Sequence, residues 1–309
     1  MKEPTLRPST HRTFTATGPK AGVSGFSFWL SVWFALSPGR LVVKAQGTEI
    51  VLPIKKGTVT TIVGKGGTGK TTLSGLLVRS LLVGKCRPIL AIDADPARGF
   101  ERILGVRPTE TLGGIREELL GPKSRVPAGV AKKSYLDLRV QSAIAESSGF
   151  DLLTMGRPEG PGCYCYVNNL LRGSLDALVE NYPWVVIDSE AGMEHLSRRT
   201  AKDVDYLFVV CNGSIGSFDT AAQILDLIEE LRTRVTHKIL ILNNLTEHAR
   251  REERSLLERV DTGSFETVGR IPYDPEVETY ERMGRALTEL PADRPAVLAL
   301  EEILSEVAG

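Results

Sequence analysis

The chain has 309 residues, with 38 basic and 38 acidic side chains and therefore no formal net charge. That balance excludes the electrostatic footprint of non-specific nucleic-acid binding. Four cysteines, Cys86, Cys163, Cys165 and Cys211, are too few for a disulfide framework in a chain this long, so a reducing cytoplasm is the expected setting.

In chain order, the first forty residues stand apart. Lys2, Arg7, Arg12 and Lys20 face a single acid, Glu3, and an apolar run from Phe26 to Leu36 ends in Ala35-Leu36-Ser37. A basic region, a short apolar core and a small-residue site have the layout of a secretory signal. The run is too short and too serine-interrupted for a membrane-spanning helix. Unpaired thiols and the nucleotide loop that follows belong where ATP and reductant are. Residues 1–40 are therefore read as an extension upstream of the true start, near Val42 or Val43. A membrane anchor is the second reading and export the third.

Residues 41–309 read as one α/β domain. Leu41 to Val43 and Glu49 to Leu52 suggest a short hairpin. Thr58 to Val63 is a β-branched run, and Leu73 to Val83 has helical apolar spacing. Pro88 to Ile92 is a buried-type strand ending in Asp93-Ala94-Asp95-Pro96. The stretch from Thr109 to Ala145 is least legible, with helical character at Gly114 to Leu120 and around Asp137 to Ala145. Strands follow at Phe150 to Met155, Trp184 to Ile187, Tyr206 to Val210 and Lys238 to Leu242, with a helix from about Tyr166 to Glu180. Continuous apolar strands alternating with helices predict a mostly parallel, twisted sheet covered on both faces. Ligands in such folds collect at the carboxyl ends of the strands.

The stretch Gly64-Lys65-Gly66-Gly67-Thr68-Gly69-Lys70-Thr71-Thr72 lies between the run from Thr58 to Val63 and the helix that follows. Glycines free successive backbone N–H groups to turn toward a polyphosphate, and the helix N-terminus adds unpaired donors. This is a phosphate loop, in which Lys70 reaches the β- and γ-phosphates and Thr71 meets Mg²⁺. Asp188, after Val185-Val186-Ile187, stands where a carboxylate holds the Mg²⁺ shell opposite Thr71; capping a following helix is the alternative. Asp93 and Asp95 flank another strand end, where an ordinary Asp-Pro turn is the alternative.

The pattern Lys-Gly-Gly-x-Gly-Lys-Thr, with its additional Lys65, resembles the deviant phosphate loop of the family that includes the nitrogenase iron protein and the septum-site and chromosome-partitioning ATPases. Two further stretches, Gly156-Arg157-Pro158-Glu159-Gly160-Pro161-Gly162-Cys163-Tyr164-Cys165-Tyr166-Val167-Asn168-Asn169 and Asp188 to Arg199, resemble the CooC-type nickel-insertion ATPases that serve carbon monoxide dehydrogenase. The resemblance runs over about residues 58–300. It implies an ATPase homodimer in which Lys65 crosses to the partner's nucleotide, Asp95 orients the attacking water and Asp93 supports Mg²⁺. Asn243 would then read adenine, with Pro272 as a wall of the adenine site. The Asn-Lys-x-Asp guanine motif is missing at Asn243-Asn244-Leu245-Thr246, which favours ATP over GTP; helix capping by either Asn stays open.

The resemblance also implies that Cys163 and Cys165 bind nickel, with zinc as the alternative metal, at the dimer interface. The client would be carbon monoxide dehydrogenase, alone or with acetyl-CoA synthase. Two thiolates do not complete a four-ligand site, so a twofold axis beside the pair would supply the others. A structural Cys-x-Cys without metal is the alternative. Ala97-Arg98-Gly99-Phe100 and the Cys211-Asn212-Gly213-Ser214 turn depart from the family pattern. Competing readings are an iron-sulfur scaffold or electron-donating ATPase, and a MinD/ParA-like positioning ATPase. The last is disfavoured by the acidic character of Ala296 to Val307, where such proteins carry a basic membrane-binding tail. Neither nucleic acid nor a membrane is an expected partner.

Overall fold

The computed structural model describes residues 40–45, 48–53, 57–84, 86–120, 126–127, 129–156, 165–189 and 203–308. The expected extension at residues 1–40 lies outside them except for residue 40. A hairpin comes first, β1 (Arg40–Ala45) paired antiparallel with β2 (Thr48–Pro53). Next come β3 (Thr58–Gly64), α1 (Lys70–Val83), β4 (Ile89–Asp93), α2 (Gly99–Leu104), α3 (Leu112–Leu120) and α4 (Lys132–Ser142). Then follow β5 (Ala145–Glu146), β6 (Phe150–Thr154), α5 (Cys165–Val179), β7 (Trp184–Asp188), β8 (Asp203–Cys211) and α6 (Ile215–Leu231). The chain continues through β9 (Arg234–Asn243), α7 (Glu247–Arg251), α8 (Glu253–Leu257), β10 (Thr267–Ile271), α9 (Pro275–Met283) and α10 (Pro295–Ala308).

Eight strands form one sheet in the order β10-β9-β8-β3-β7-β4-β6-β5, parallel throughout except for the antiparallel β5–β6 edge. Strand side chains alternate between faces. Ile89 and Ala91, Trp184 and Val186, Phe208 and Val210, and Ile239 and Ile241 all join the cluster under α1, α2 and α10. Their neighbours Leu90, Ile92, Val185 and Ile187 pack with α3, α4 and α5, whereas Leu207, Val209, Leu240 and Leu242 pack under α6. This double burial explains the unbroken apolar runs in the sequence.

Three local departures from the sequence reading have physical causes. The expected helical turn reaching Ala145 ends at Ser142, because Ala145 and Glu146 find backbone partners on the edge of β6. The strand β10 contains Gly269, a poor strand former, because a Cβ there would lie 2.4 Å from the Ile303 side chain of α10. The short α2 lies between Arg98 and Gly105, both in the left-handed region, and buries Phe100 and Ile103.

Strand β3 is central, with β7 on one side and β8 on the other. This switch in strand order leaves a crevice at the carboxyl ends of these strands.

Candidate nucleotide and magnesium site

The loop from Lys65 to Gly69 joins β3 to α1 at that crevice. Gly69 caps α1 with φ 89°, and a Cβ there would fall 2.2 Å from the Asn243 amide nitrogen. Both the backbone sign and the crowding require glycine. The Lys65 carbonyl gathers three donors: the Thr68 N–H at 3.3 Å, the Thr68 hydroxyl at 2.9 Å and the Lys70 ammonium at 3.2 Å. Lys70 is buried, so its charge is concentrated over the loop. The Lys65 side chain is exposed and lays its ammonium against Gly216 in the first turn of α6. The Asn243 amide donates to the Thr68 carbonyl at 2.8 Å, tying the end of β9 to the phosphate loop.

Asp93 and Asp188 are register partners on adjacent parallel strands, and both are fully buried. Burial pushes Asp93 up to about 7, and the Asp188 charge adds to the effect. Burial also pushes Asp188 up to about 6, opposed by the nearby Thr71 and Ser74 hydroxyls and by the Lys70 charge. Their roles divide by contact. Asp93 accepts the N–H groups of Asp95 at 3.2 Å and Phe100 at 3.1 Å, which shapes the loop after β4. Asp188 accepts the Ser74 hydroxyl at 3.0 Å through Oδ1, while its buried Oδ2 has no hydrogen-bond partner. A buried carboxylate oxygen left unpaired beside Thr71 fits a hard divalent cation such as Mg²⁺, with Thr71 and Asp188 as the residues that would hold it. Asp95, half-buried, accepts the Ala97 N–H at 2.8 Å through Oδ1. Its loop returns to the phosphate loop, since a Cβ at Gly99 would meet the Thr71 methyl at 3.4 Å.

A cavity of about 550 Å³ opens beside the loop. Gly67, Thr68, Gly69 and Thr72 line it, together with Asn243, Asn244, Pro272, Tyr273, Glu278 and Glu281. Gly66 makes its turn in the same loop, and Asp274 caps α9 while accepting the Ala296 N–H at 3.3 Å. Thr72 donates to Glu281. The cavity thus grades from the backbone donors of the loop to carboxylate acceptors, matching a polyphosphate at one end and a hydroxyl-bearing nucleoside at the other. Sequence reasoning missed Ser74, Gly216, Glu278 and Glu281. The i, i+3 spacing of Glu278 and Glu281 just after the Pro272 loop was the available signal.

Cys163 lies outside the described residues, and Cys165 opens α5 with only its backbone described. Cys86 and Cys211 are buried free thiols pushed up to about 12 by burial, which makes them inert. Among the described residues no group of three or more His, Cys, Asp or Glu side chains is placed to hold a metal ion, and no helix is long and apolar enough to cross a membrane.

Residues 59–286 match the family described as CobQ/CobB/MinD/ParA nucleotide binding domain. An uncharacterized ATP-binding protein of Methanocaldococcus jannaschii is 38% identical over 247 residues, covering 79% of this chain and 96% of that protein. The carbon monoxide dehydrogenase accessory protein CooC of Rhodospirillum rubrum is 31% identical over 261 residues, covering 80% and 96% respectively. The MinD cell division protein of Aquifex aeolicus shares the fold, with a TM-score of 0.54 and 20% identity over 81% of this chain and 94% of that one. With its phosphate loop, paired strand-end carboxylates and adjoining cavity, the chain belongs to the CobQ/CobB/MinD/ParA nucleotide-binding family and is an ATPase of the MinD/ParA type.

Proposed function

We propose that this ATPase is a cytoplasmic homodimer that binds nickel as cargo and supports its insertion into the metal cluster of carbon monoxide dehydrogenase. The observation that carries this reading is the identity with CooC over nearly the whole of that protein. The Cys163-x-Cys165 pair supports it. The helix beginning at Cys165 follows β6, whose carboxyl end shares an edge with the phosphate loop.

In this reading the loop N–H groups of Gly66 to Gly69 cradle the phosphates of ATP, and Lys70 leaves the Lys65 carbonyl for the β- and γ-oxygens. Thr71 and Asp188 hold Mg²⁺, which when bound neutralises charge on those phosphates. Asp95 orients the attacking water, and Asp93 keeps the Asp95 loop in register through its two backbone hydrogen bonds. Lys65 exchanges its rest against Gly216 for the partner's nucleotide. Asn243 and Pro272 frame the base, and Thr72 sits at the α1 end of the cavity. Four thiolates, two from each subunit, bind one nickel ion per dimer.

Equilibrium dialysis of nickel against anaerobically purified protein tests this directly. The expected stoichiometry is one ion per dimer, lost in the Cys163→Ser, Cys165→Ser double variant while ATP binding persists. One ion per monomer, or tight nickel binding by the double variant, overturns the bridging model. Strong visible absorption of the purified protein would favour an iron-sulfur role instead.

A MinD/ParA-like positioning switch is the second reading, favoured by the shared fold. In that reading α10 is a structural element, since its Ala296, Val297, Leu300, Ile303, Leu304 and Val307 are committed to the core.

A further inference from the structure

Away from the nucleotide site, an open groove of about 900 Å³ lies at the end of the sheet. Val268 and Arg270, two positions apart on the terminal strand β10 and so on one face of it, form one wall. The short helices α7 and α8 and the turn after them form the other. Leu257, Val260 and Val268 give the groove an apolar floor continuous with the cluster under α6.

Four arginines, Arg250, Arg251, Arg254 and Arg270, line it together with Glu253, Glu258 and Asp261. Two of the acids are committed within the protein. Glu253 accepts the Arg270 Nε at 2.9 Å, and Asp261 accepts the Gly263 N–H at 3.1 Å and the Ser264 hydroxyl at 2.7 Å. Glu258 lies 3.9 Å from Arg254, whose side chain is 96% exposed, so that contact is a weak solvent pair. Arg250 and Arg251, both exposed, have no acidic partner among the described residues, whereas Arg259 just outside the groove is paired with Asp219 at 2.8 Å. Adjacent guanidiniums left unpaired beside an apolar floor present forked donors that match carboxylates.

We propose that this groove is a docking surface for an acidic segment of a protein partner, whose carboxylates pair with Arg250, Arg251 and Arg254 while its apolar side chains rest on Leu257, Val260 and Val268. The acids of the lining set the register, because a carboxylate placed opposite Glu258 is repelled. They also argue against nucleic acid, whose phosphates form an unbroken negative row, and the chain as a whole carries no net charge to attract one.

Fluorescence anisotropy of a labelled peptide that alternates glutamate and leucine, titrated with the full chain at low salt, tests the proposal. Saturable binding tighter than a Kd of about 1 mM is expected. It should weaken as ionic strength rises to about 0.15 M, where screening limits exposed charges to a range of about 8 Å. The same peptide with glutamine in place of glutamate should not bind measurably. Arg250→Glu combined with Arg251→Glu should weaken binding of the glutamate peptide roughly tenfold or more. Arg250→Gln combined with Arg251→Gln should show a smaller loss, and it serves in place of the reversed pair if that variant does not fold. ATP turnover should be unchanged in both, because the groove shares no lining residue with the nucleotide cavity. Peptide binding that survives both double variants, or that is equal for the glutamine peptide, overturns the proposal. So does wild-type protein that shows no saturable binding. A short DNA duplex that binds more tightly than the peptide, and is lost in the same variants, overturns it in favour of a nucleic-acid surface.

Discussion

Arg79 and Glu301 form an ion pair at 3.8 Å between α1 and α10, with side chains only 4% and 9% exposed. Burial lowers the Arg79 pKa and raises that of Glu301, so desolvation dominates for both partners over their mutual attraction. Arg79 also donates through Nε to the Leu290 carbonyl, whereas its Nη1 has no hydrogen-bond partner. A long, incompletely satisfied buried pair should not repay its desolvation. Glu301→Leu strands a guanidinium that cannot deprotonate, at an expected cost of about 3–5 kcal/mol. Arg79→Met should cost less, about 1–3 kcal/mol, because the stranded Glu301 can take up a proton. That deficit should shrink as pH falls, since the neutral acid is the form that tolerates burial. In the double variant the desolvation cost disappears, and the one loss is the hydrogen bond to the Leu290 carbonyl, about 1–3 kcal/mol. Against a gain of about 1–4 kcal/mol from replacing the pair by apolar groups, the double variant should fall near wild type. Urea midpoints at constant slope, followed by far-ultraviolet circular dichroism, measure all four corners of the cycle. A double variant as unstable as the sum of the singles would refute the reasoning, because the pair would then carry no coupling.

Four other outcomes are expected. Lys70→Ala should abolish ATP turnover without unfolding the chain, as read by phosphate release and circular dichroism; turnover near wild type would remove the phosphate-loop assignment. Asp95→Asn should leave ATP binding largely intact and slow hydrolysis, and the reverse pattern in binding and single-turnover assays would make Asp95 a structural residue. In EDTA, stability should fall as pH rises from about 4 to about 7. Asp93 at about 7 and Asp188 at about 6 both lie above the ordinary carboxylate value, so the native state binds more protons than the unfolded chain in this window. Each contributes up to about 1.4 kcal/mol per pH unit until its folded pKa is passed, and a melting midpoint that climbs with pH would contradict this. Lys65→Ala should weaken ATP-dependent dimerisation more than nucleotide binding, and sedimentation that is unchanged by ATP would exclude the cross-interface role.

By itself the sequence determined what depends on short range. The run from Thr58 to Thr72 reads as strand, glycine loop and helix because backbone freedom, β-branching and apolar spacing act within a few residues, and the structure places β3 and α1 there. Alternation of doubly buried strands with helices likewise fixed a parallel sheet, and Asp93 and Asp188 were legible as strand-end carboxylates. Only the tertiary structure decided which distant groups meet. Asn243 reaches the Thr68 carbonyl across 175 positions, and Glu281 reaches Thr72 across 209. Asp93 and Asp188 become neighbours only because β4 and β7 pair in register, and that proximity in a dry interior helps raise the Asp93 pKa. Gly269 shows the same limit from the other side. Its local preference argues against a strand, and the close approach of Ile303 overrides it. Local propensity is summed over neighbours in the chain, whereas a site is assembled by strand order, register and helix packing, which the sequence encodes only through the whole fold.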